Sequence, residues 1–171
     1  MGVESATTAT HNSHCFHKLA DSFGVPARIA RRLEELAGRL LHMRRPKRWF
    51  RAWLKTGLAN FVRGDYRLLP CGVAEDVFFV EPLGEARPCN GMEESMGSFK
   101  RQTFDGVSTS SEAQRVRDRA RSCTANCWMI GSVSPTMKKD VRTPAAWILR
   151  ERLTGTCPAT GRATSSRVTG A

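Results

Sequence analysis

The sequence predicts an α+β fold in which a small β-hairpin with flanking helices is organised around a four-cysteine site. Three observations support this prediction. Apolar residues recur at helical spacing before residue 64 and after residue 143. A β-rich segment with turn residues lies between these helices, and four cysteines surround it. Both ends of the chain have the polar composition of disordered polypeptide.

The chain has 171 residues, enough for one domain of ordinary size, and a net charge of +11. This charge suits nucleic acid, an anionic membrane face or an acidic protein partner. We expect the basic residues to be spread along the chain rather than grouped in one stripe, and this expectation disfavours nucleic acid as the partner. No stretch approaches the roughly 20 apolar residues of a membrane span, and the start lacks the pattern of a secretory signal. We therefore predict a cytoplasmic protein whose cysteines are metal or redox ligands.

Residues 1–22 are predicted to be a flexible leader, 23–155 a structured domain with N-terminal helices, and 156–171 a disordered tail. The leader holds three histidines and Cys15, but their spacing matches no closed zinc site.

Two helices are predicted to open the domain. The first begins at Pro26, and its apolar side chains recur at steps of three and four: Ile29, Leu33, Leu36 and Leu40. The second spans roughly 47–63, has a broad apolar face and ends at Gly64.

A hairpin follows, because residues 76–82 are rich in β-forming residues and Gly84 can take the positive φ of a tight turn. Residues 85–89 return as the second strand. Residues 90–109 are predicted to be a loop.

A further helix is predicted over 110–122, with a serine cap and a solvated arginine face. The segment after it, from 123, is predicted to be a loop with apolar residues. The last helix, 143–155, has Thr143 as its cap, Pro144 at its first position and Gly155 at its end.

The four cysteines of the structured part form two pairs. Cys71 precedes the hairpin and Cys89 ends it, so a tight hairpin brings them together, while Cys123 and Cys127 lie at a helix end and four residues on. Four thiolates suit either structural zinc or an iron–sulfur cluster, and spacing alone does not separate the two. Trp128 and Phe78 favour a cluster slightly, because an apolar cover shields it from water.

These motifs resemble the SPASM/twitch extension of radical SAM proteins. Its C-x(9–15)-G-x4-C signature is matched by Cys71, Gly84 and Cys89, with twelve residues before the glycine and four after it. "FFVEPLGEARPCNGMEESMGSF" is similar to its hairpin, and "CTANCWMIGSVSPTMKK" to its closing cysteine pair. "WFRAWLKTGLANFVRGDYRLLPC" resembles the helix that leads into the first cysteine. The similarity covers roughly residues 25–155.

The resemblance implies that Cys71, Cys89, Cys123 and Cys127 are the ligands of one auxiliary cluster, most simply 4Fe-4S, with Gly84 as the turn glycine. The C-x2-C-x5 element that would support a second cluster is missing before Cys123. The C-x3-C-x2-C loop of the catalytic barrel is also missing. S-adenosylmethionine is therefore not expected to bind this chain alone, and no catalytic residue is assigned.

The implied function is electron relay or engagement of a peptide substrate, with a radical SAM barrel subunit as partner. The alternative is a zinc-stabilised basic module that binds nucleic acid, with strong salt dependence. A decayed fragment that binds no metal is the third hypothesis.

Overall fold

The computed structural model describes residues 26–155; the predicted leader and tail lie outside this range. Six helices and three short strands follow one another: α1 (Pro26–Leu41), α2 (Pro46–Arg63), β1 (Phe79–Val80), β2 (Glu85–Arg87), β3 (Gly97–Ser98), α3 (Phe104–Ser108), α4 (Ser111–Arg121), α5 (Ile130–Lys139) and α6 (Arg142–Thr154). The predicted α+β class is confirmed, with the four cysteines in the middle of the chain. None of the described helices has the length and apolar character needed to cross a bilayer.

Helices α1 and α2 form a hairpin that packs through alanines. Ala30 and Ala59 share one buried cluster, Ala37 and Ala52 share another, and all four are fully buried. Small side chains let two helix axes approach closely, so this stripe forms the interface. The predicted apolar face of α1 was therefore wrong in part: Leu33 is buried, but Ile29 and Leu36 are 40% and 41% exposed.

The helical hairpin is further tied by an ion pair and by α6. Arg63, near the end of α2, donates to the buried carboxylate of Glu34 at 2.6 Å. This carboxylate raises the pKa of Arg63, against the opposing effect of burial. Ile148 of α6 is buried against Leu41, near the other end of the hairpin. α2 ends at Gly64, as predicted, with φ +76°.

The sheet is a three-stranded antiparallel meander of order β1-β2-β3. Gly84 lies in the turn between β1 and β2 at φ +82°, and its N–H donates to the Glu81 carbonyl at 2.8 Å. The Glu81 N–H also donates to the Glu85 carbonyl at 2.9 Å, so three residues, 82–84, form the loop inside this pair, and the left-handed Gly84 closes it. β3 and α3 both lie where a loop was predicted, over 90–109. Ala86 pairs with Gly97 of β3, a contact that no local pattern reveals.

The second half of the domain differs from prediction in α5. Helix α4 begins as predicted, with the Ser110 hydroxyl accepting the Ala113 N–H at 3.0 Å. α5 replaces the predicted loop although it contains Pro135, because Val133 packs into the core of the helical hairpin. The predicted cap of α6 at Thr143 was wrong: α6 begins at Arg142, and the Asp140 carboxylate accepts the Thr143 N–H at 3.1 Å.

Candidate metal centre

Cys71 lies at the start of a tight loop held by a distant helix. The Gly72 carbonyl accepts the Asp76 N–H at 2.8 Å, and Ala74 adopts a left-handed φ of +66°. Arg117 of α4 donates to the Ala74 carbonyl at 3.2 Å and to the Ser108 carbonyl at 2.6 Å. A non-glycine residue in this conformation costs free energy, so the surrounding contacts must hold it in place. Arg117 is thus a structural contact rather than part of a solvated face.

Cys89 lies two residues after the end of β2 and directly follows the fully buried Pro88. The turn after it directs the backbone N–H groups of Gly91 and Met92 towards its sulfur. Burial raises the pKa of the Cys89 thiol, and these two N–H groups act in the opposite direction. N–H donors of this kind stabilise a thiolate, the form in which cysteine binds metal.

Cys123 and Cys127 bound a five-residue segment, 123–127, which we call the cysteine loop. Cys123 follows the end of α4, and its N–H donates to the Ala120 carbonyl at 3.2 Å. At the other end of the loop, Arg67 donates to the Cys127 carbonyl at 3.1 Å. The side chain of Asn126 donates to the Asp65 carbonyl. The linker that precedes Cys71 therefore holds the cysteine loop from one side.

Trp128 fixes the cysteine loop to α2. Its indole N–H donates to the Leu54 carbonyl at 2.8 Å, and its ring contacts Trp53 edge-on at 5.2 Å between centroids. The ring lies directly over Gly57, where a Cβ would come within 2.0 Å of the indole. A glycine at this position of α2 gives the indole the room it occupies.

The four thiols share one neighbourhood. Burial raises the pKa of Cys127 to about 11; the positive charge of Arg67 opposes this, and the negative charges of Cys89, Cys123 and Cys71 add to it. All four are free thiols of intermediate exposure. Within residues 26–155, no three Cys, His, Asp or Glu side chains are placed to hold a single metal ion.

The two predicted shielding residues lie in different clusters. Phe78 packs against the same buried apolar cluster as Cys71 and Cys89, together with Met92 and Phe99. Trp128 belongs to the core of the helical hairpin. Phe78 thus packs on the same apolar cluster as two of the cysteines, whereas Trp128 is placed to anchor the backbone of the cysteine loop.

Two open cavities meet at Cys123. One, of about 860 Å³, is lined by Cys71, Cys123 and much of the 64–70 linker. The other, of about 690 Å³, lies between the cysteine loop and the segment 91–94. Cys123 thus lines both cavities and Cys71 lines one of them, whereas burial raises the pKa values of Cys89 and Cys127.

Sequence reasoning missed the residues that position the cysteines. Arg67 and Asn126 contact the cysteine loop or its linker across about 60 residues of chain, and Gly57 meets Trp128 across 71. No periodic pattern connects positions so far apart. The one local signal was Gly57, a glycine inside a strongly predicted helix, which marks a close approach.

The donor set fits an iron–sulfur cluster, because it consists of four free, half-buried cysteines in loops. Backbone N–H groups donate to the sulfur of Cys89, and Cys71 and Cys89 both pack against an apolar cluster.

Comparison with family models gives a match of residues 71–128 to the SPASM family, an iron–sulfur cluster-binding domain. The matched segment begins at Cys71 and ends one residue after Cys127, so it contains all four cysteines of the described chain. Comparison with curated proteins and with solved structures gives no match. Residues 71–128 are therefore a SPASM iron–sulfur cluster-binding domain, which implies a radical SAM context.

Proposed function

We propose that Cys71, Cys89, Cys123 and Cys127 together bind one 4Fe-4S cluster, and that the cluster serves electron relay or the engagement of a peptide substrate. The observation that supports this proposal is that all four free thiols lie inside the SPASM segment, where the other three cysteines act electrostatically on Cys127. When bound, such a cluster supplies one-electron redox chemistry at a potential set by its surroundings.

The chain's own residues have separable tasks in this proposal. The four thiolates hold the cluster, and the N–H groups after Cys89 stabilise the negative charge on its sulfur. Arg67 holds the Cys127 backbone and places a positive charge near that sulfur. The apolar cluster around Phe78 excludes water from the side of Cys71 and Cys89.

The open side at Cys123 is where a partner would approach. The two cavities on either side of Cys123 leave this edge of the site accessible. A radical SAM barrel subunit or a peptide substrate is the partner we propose for this edge. Binding and cleavage of S-adenosylmethionine are assigned to the barrel rather than to this chain. Free thiols at the site are in keeping with the reducing cytoplasm, where we place the protein.

The ligand assignment is tested by loading the full chain with iron and sulfide without oxygen. We expect a brown protein with about four irons and four acid-labile sulfides per chain. Cys89→Ala should abolish loading, whereas Cys15→Ala, which removes a cysteine of the leader, should leave it intact. Equal iron in the two variants would show that the assignment is wrong.

The same preparation separates the cluster from the alternative of a zinc module. One colourless zinc per chain, together with nucleic-acid binding that weakens steeply with salt, would support the zinc module instead. For the relay function, the loaded cluster must take up and release one electron reversibly in a redox titration. A cluster that cannot be reduced, but whose spectrum changes when a peptide is added, would favour substrate engagement.

A further inference from the structure

The positive charge of the described chain is concentrated in the helical hairpin. Residues 26–63 contain eleven Lys and Arg against two Glu, whereas residues 64–155 contain thirteen against twelve acidic residues. The SPASM segment itself has seven basic and nine acidic residues. Basic residues are therefore spread along the described chain, but the net charge is concentrated in the hairpin because acidic residues offset it only elsewhere.

The hairpin does not neutralise this charge internally. Its two carboxylates are already engaged, Glu34 by Arg63 and Glu35 by Arg32. No acidic residue occurs between Glu35 and Asp65, a segment that contains eight Lys and Arg. Within this segment, Arg44 and Arg45 of the connector between α1 and α2 are both exposed, so an external anion can approach them.

The charge is accompanied by exposed apolar side chains at one end of the helical bundle. Arg152 of α6 donates to the Leu41 carbonyl, and its guanidinium lies 4.2 Å from the centre of the Trp49 ring. These contacts place the last turns of α6 beside the connector between α1 and α2. Leu149 and Leu153 of α6 are 61% and 77% exposed. We call the resulting surface the basic–apolar end; it comprises Met43, Arg44, Arg45, Leu149, Arg152 and Leu153.

We propose that the basic–apolar end binds the surface of an anionic lipid bilayer. Clustered Lys and Arg next to exposed aliphatic side chains are the combination that peripheral proteins use at an anionic leaflet. The cations interact with the phosphate headgroups, and the leucines enter the boundary of the acyl chains. Trp49 lies at the same end, and tryptophan favours that interface.

The apolar side chains are the reason for choosing lipid over nucleic acid. A phosphate backbone is held by Lys and Arg together with polar donors, and exposed leucines contribute nothing to it. Two leucines one helical turn apart, both more than half exposed, gain free energy only on contact with apolar material. This inference does not depend on the proposed cluster function.

The test is co-sedimentation of the full chain with vesicles. One set contains phosphatidylglycerol and phosphatidylcholine in equal parts, and the other contains phosphatidylcholine alone. The chain should bind the first set and not the second. Arg44→Gln/Arg45→Gln should lower the partition coefficient about thirtyfold, because each basic residue near an anionic leaflet contributes a factor of about five.

Two further variants make the result specific. Lys100→Gln/Lys138→Gln removes the same charge from positions elsewhere and should change binding by less than about threefold. Leu149→Ser/Leu153→Ser keeps every charge and should lower binding about tenfold. Far-UV circular dichroism of each variant confirms that the helices are retained.

Three results would overturn the proposal. Equal sedimentation with both vesicle types would remove the role of anionic lipid. An equal loss in the Lys100/Lys138 variant would mean that net charge, not this surface, drives binding. Full binding by the leucine variant, together with displacement from vesicles by duplex DNA, would identify a general phosphate-binding surface instead.

Discussion

Replacing Gly57 with alanine should destabilise the protein and weaken iron loading, although alanine is the better helix former. At an unobstructed helix position this change stabilises by about 1 kcal/mol. Here the new Cβ would lie 2.0 Å from one indole carbon of Trp128 and 2.1 Å from another. An ordinary contact is 3.4–4 Å, so the indole would have to retreat by about 1.4 Å.

The cost of this retreat can be worked out from the contacts it breaks. Overpacking of this kind costs about 1–3 kcal/mol, and losing the indole hydrogen bond to Leu54 adds about 1 kcal/mol. After the gain in helix propensity of about 1 kcal/mol, the net destabilisation is about 1–3 kcal/mol. Because Trp128 directly follows Cys127, the displaced indole would also move the cysteine loop, so iron content should fall.

The assay is urea denaturation and iron analysis of the variant prepared without oxygen. Gly131→Ala is the control, because Gly131 lies in α5 and a Cβ added there would meet nothing within 4 Å; it should be neutral or slightly stabilising. The cost of Gly57→Ala should shrink when Trp128 is already leucine, since the clash is then reduced. A Gly57→Ala protein that is more stable than its parent and loads fully would refute the packing of the indole on α2.

Two further predictions concern charges in the helical hairpin. Glu34→Gln should destabilise by about 1–2 kcal/mol, because the buried Glu34 side chain loses its charged hydrogen bond with Arg63. Glu35→Gln should cause no measurable change, because the ion pair of Glu35 with Arg32 is exposed; equal effects of the two changes would contradict this reasoning. Burial, followed by the charge of Arg51, lowers the pKa of Lys55 below 10.5, so charged Lys55 opposes folding at neutral pH. Lys55→Met should therefore stabilise by less than about 1 kcal/mol, and the difference should vanish as the pH rises through the lowered pKa towards 10.5, because the wild-type lysine then loses its charge. Denaturation at about pH 7 and about pH 10 measures this, with Lys138→Met as the control, and a gain that persists at the higher pH would exclude the mechanism.

Local signals were sufficient to predict the elements that carry their own start and stop residues. The end of α2 at Gly64, the cap of α4 at Ser110 and the hairpin turn at Gly84 all depend on one or two neighbouring residues. The cysteines could also be grouped in advance, because their spacing around a hairpin and a helix end is itself a local pattern.

Elements whose stability comes from distant contacts could not be predicted in this way. α5 contains a glycine and a proline, and its helical form is explained by the packing of Val133 and Met137 against the core of the helical hairpin. On α1, hydrophobicity favoured Ile29 and Leu36, but the interface uses Ala30 and Ala37 because alanines allow the closer approach. Which of two apolar faces is buried depends on the partner helix.

The indole of Trp128 has a consequence for how the chain divides. The SPASM segment ends at this residue, yet its side chain is seated in α2, which precedes the segment. A fragment limited to residues 71–128 would retain these four cysteines but would lose α2, against which the side chain of its final residue packs. Iron uptake and the thermal unfolding of α2 should therefore be linked. The unfolding of α2 would then show whether the metal centre is occupied, although this helix contributes no ligand to it.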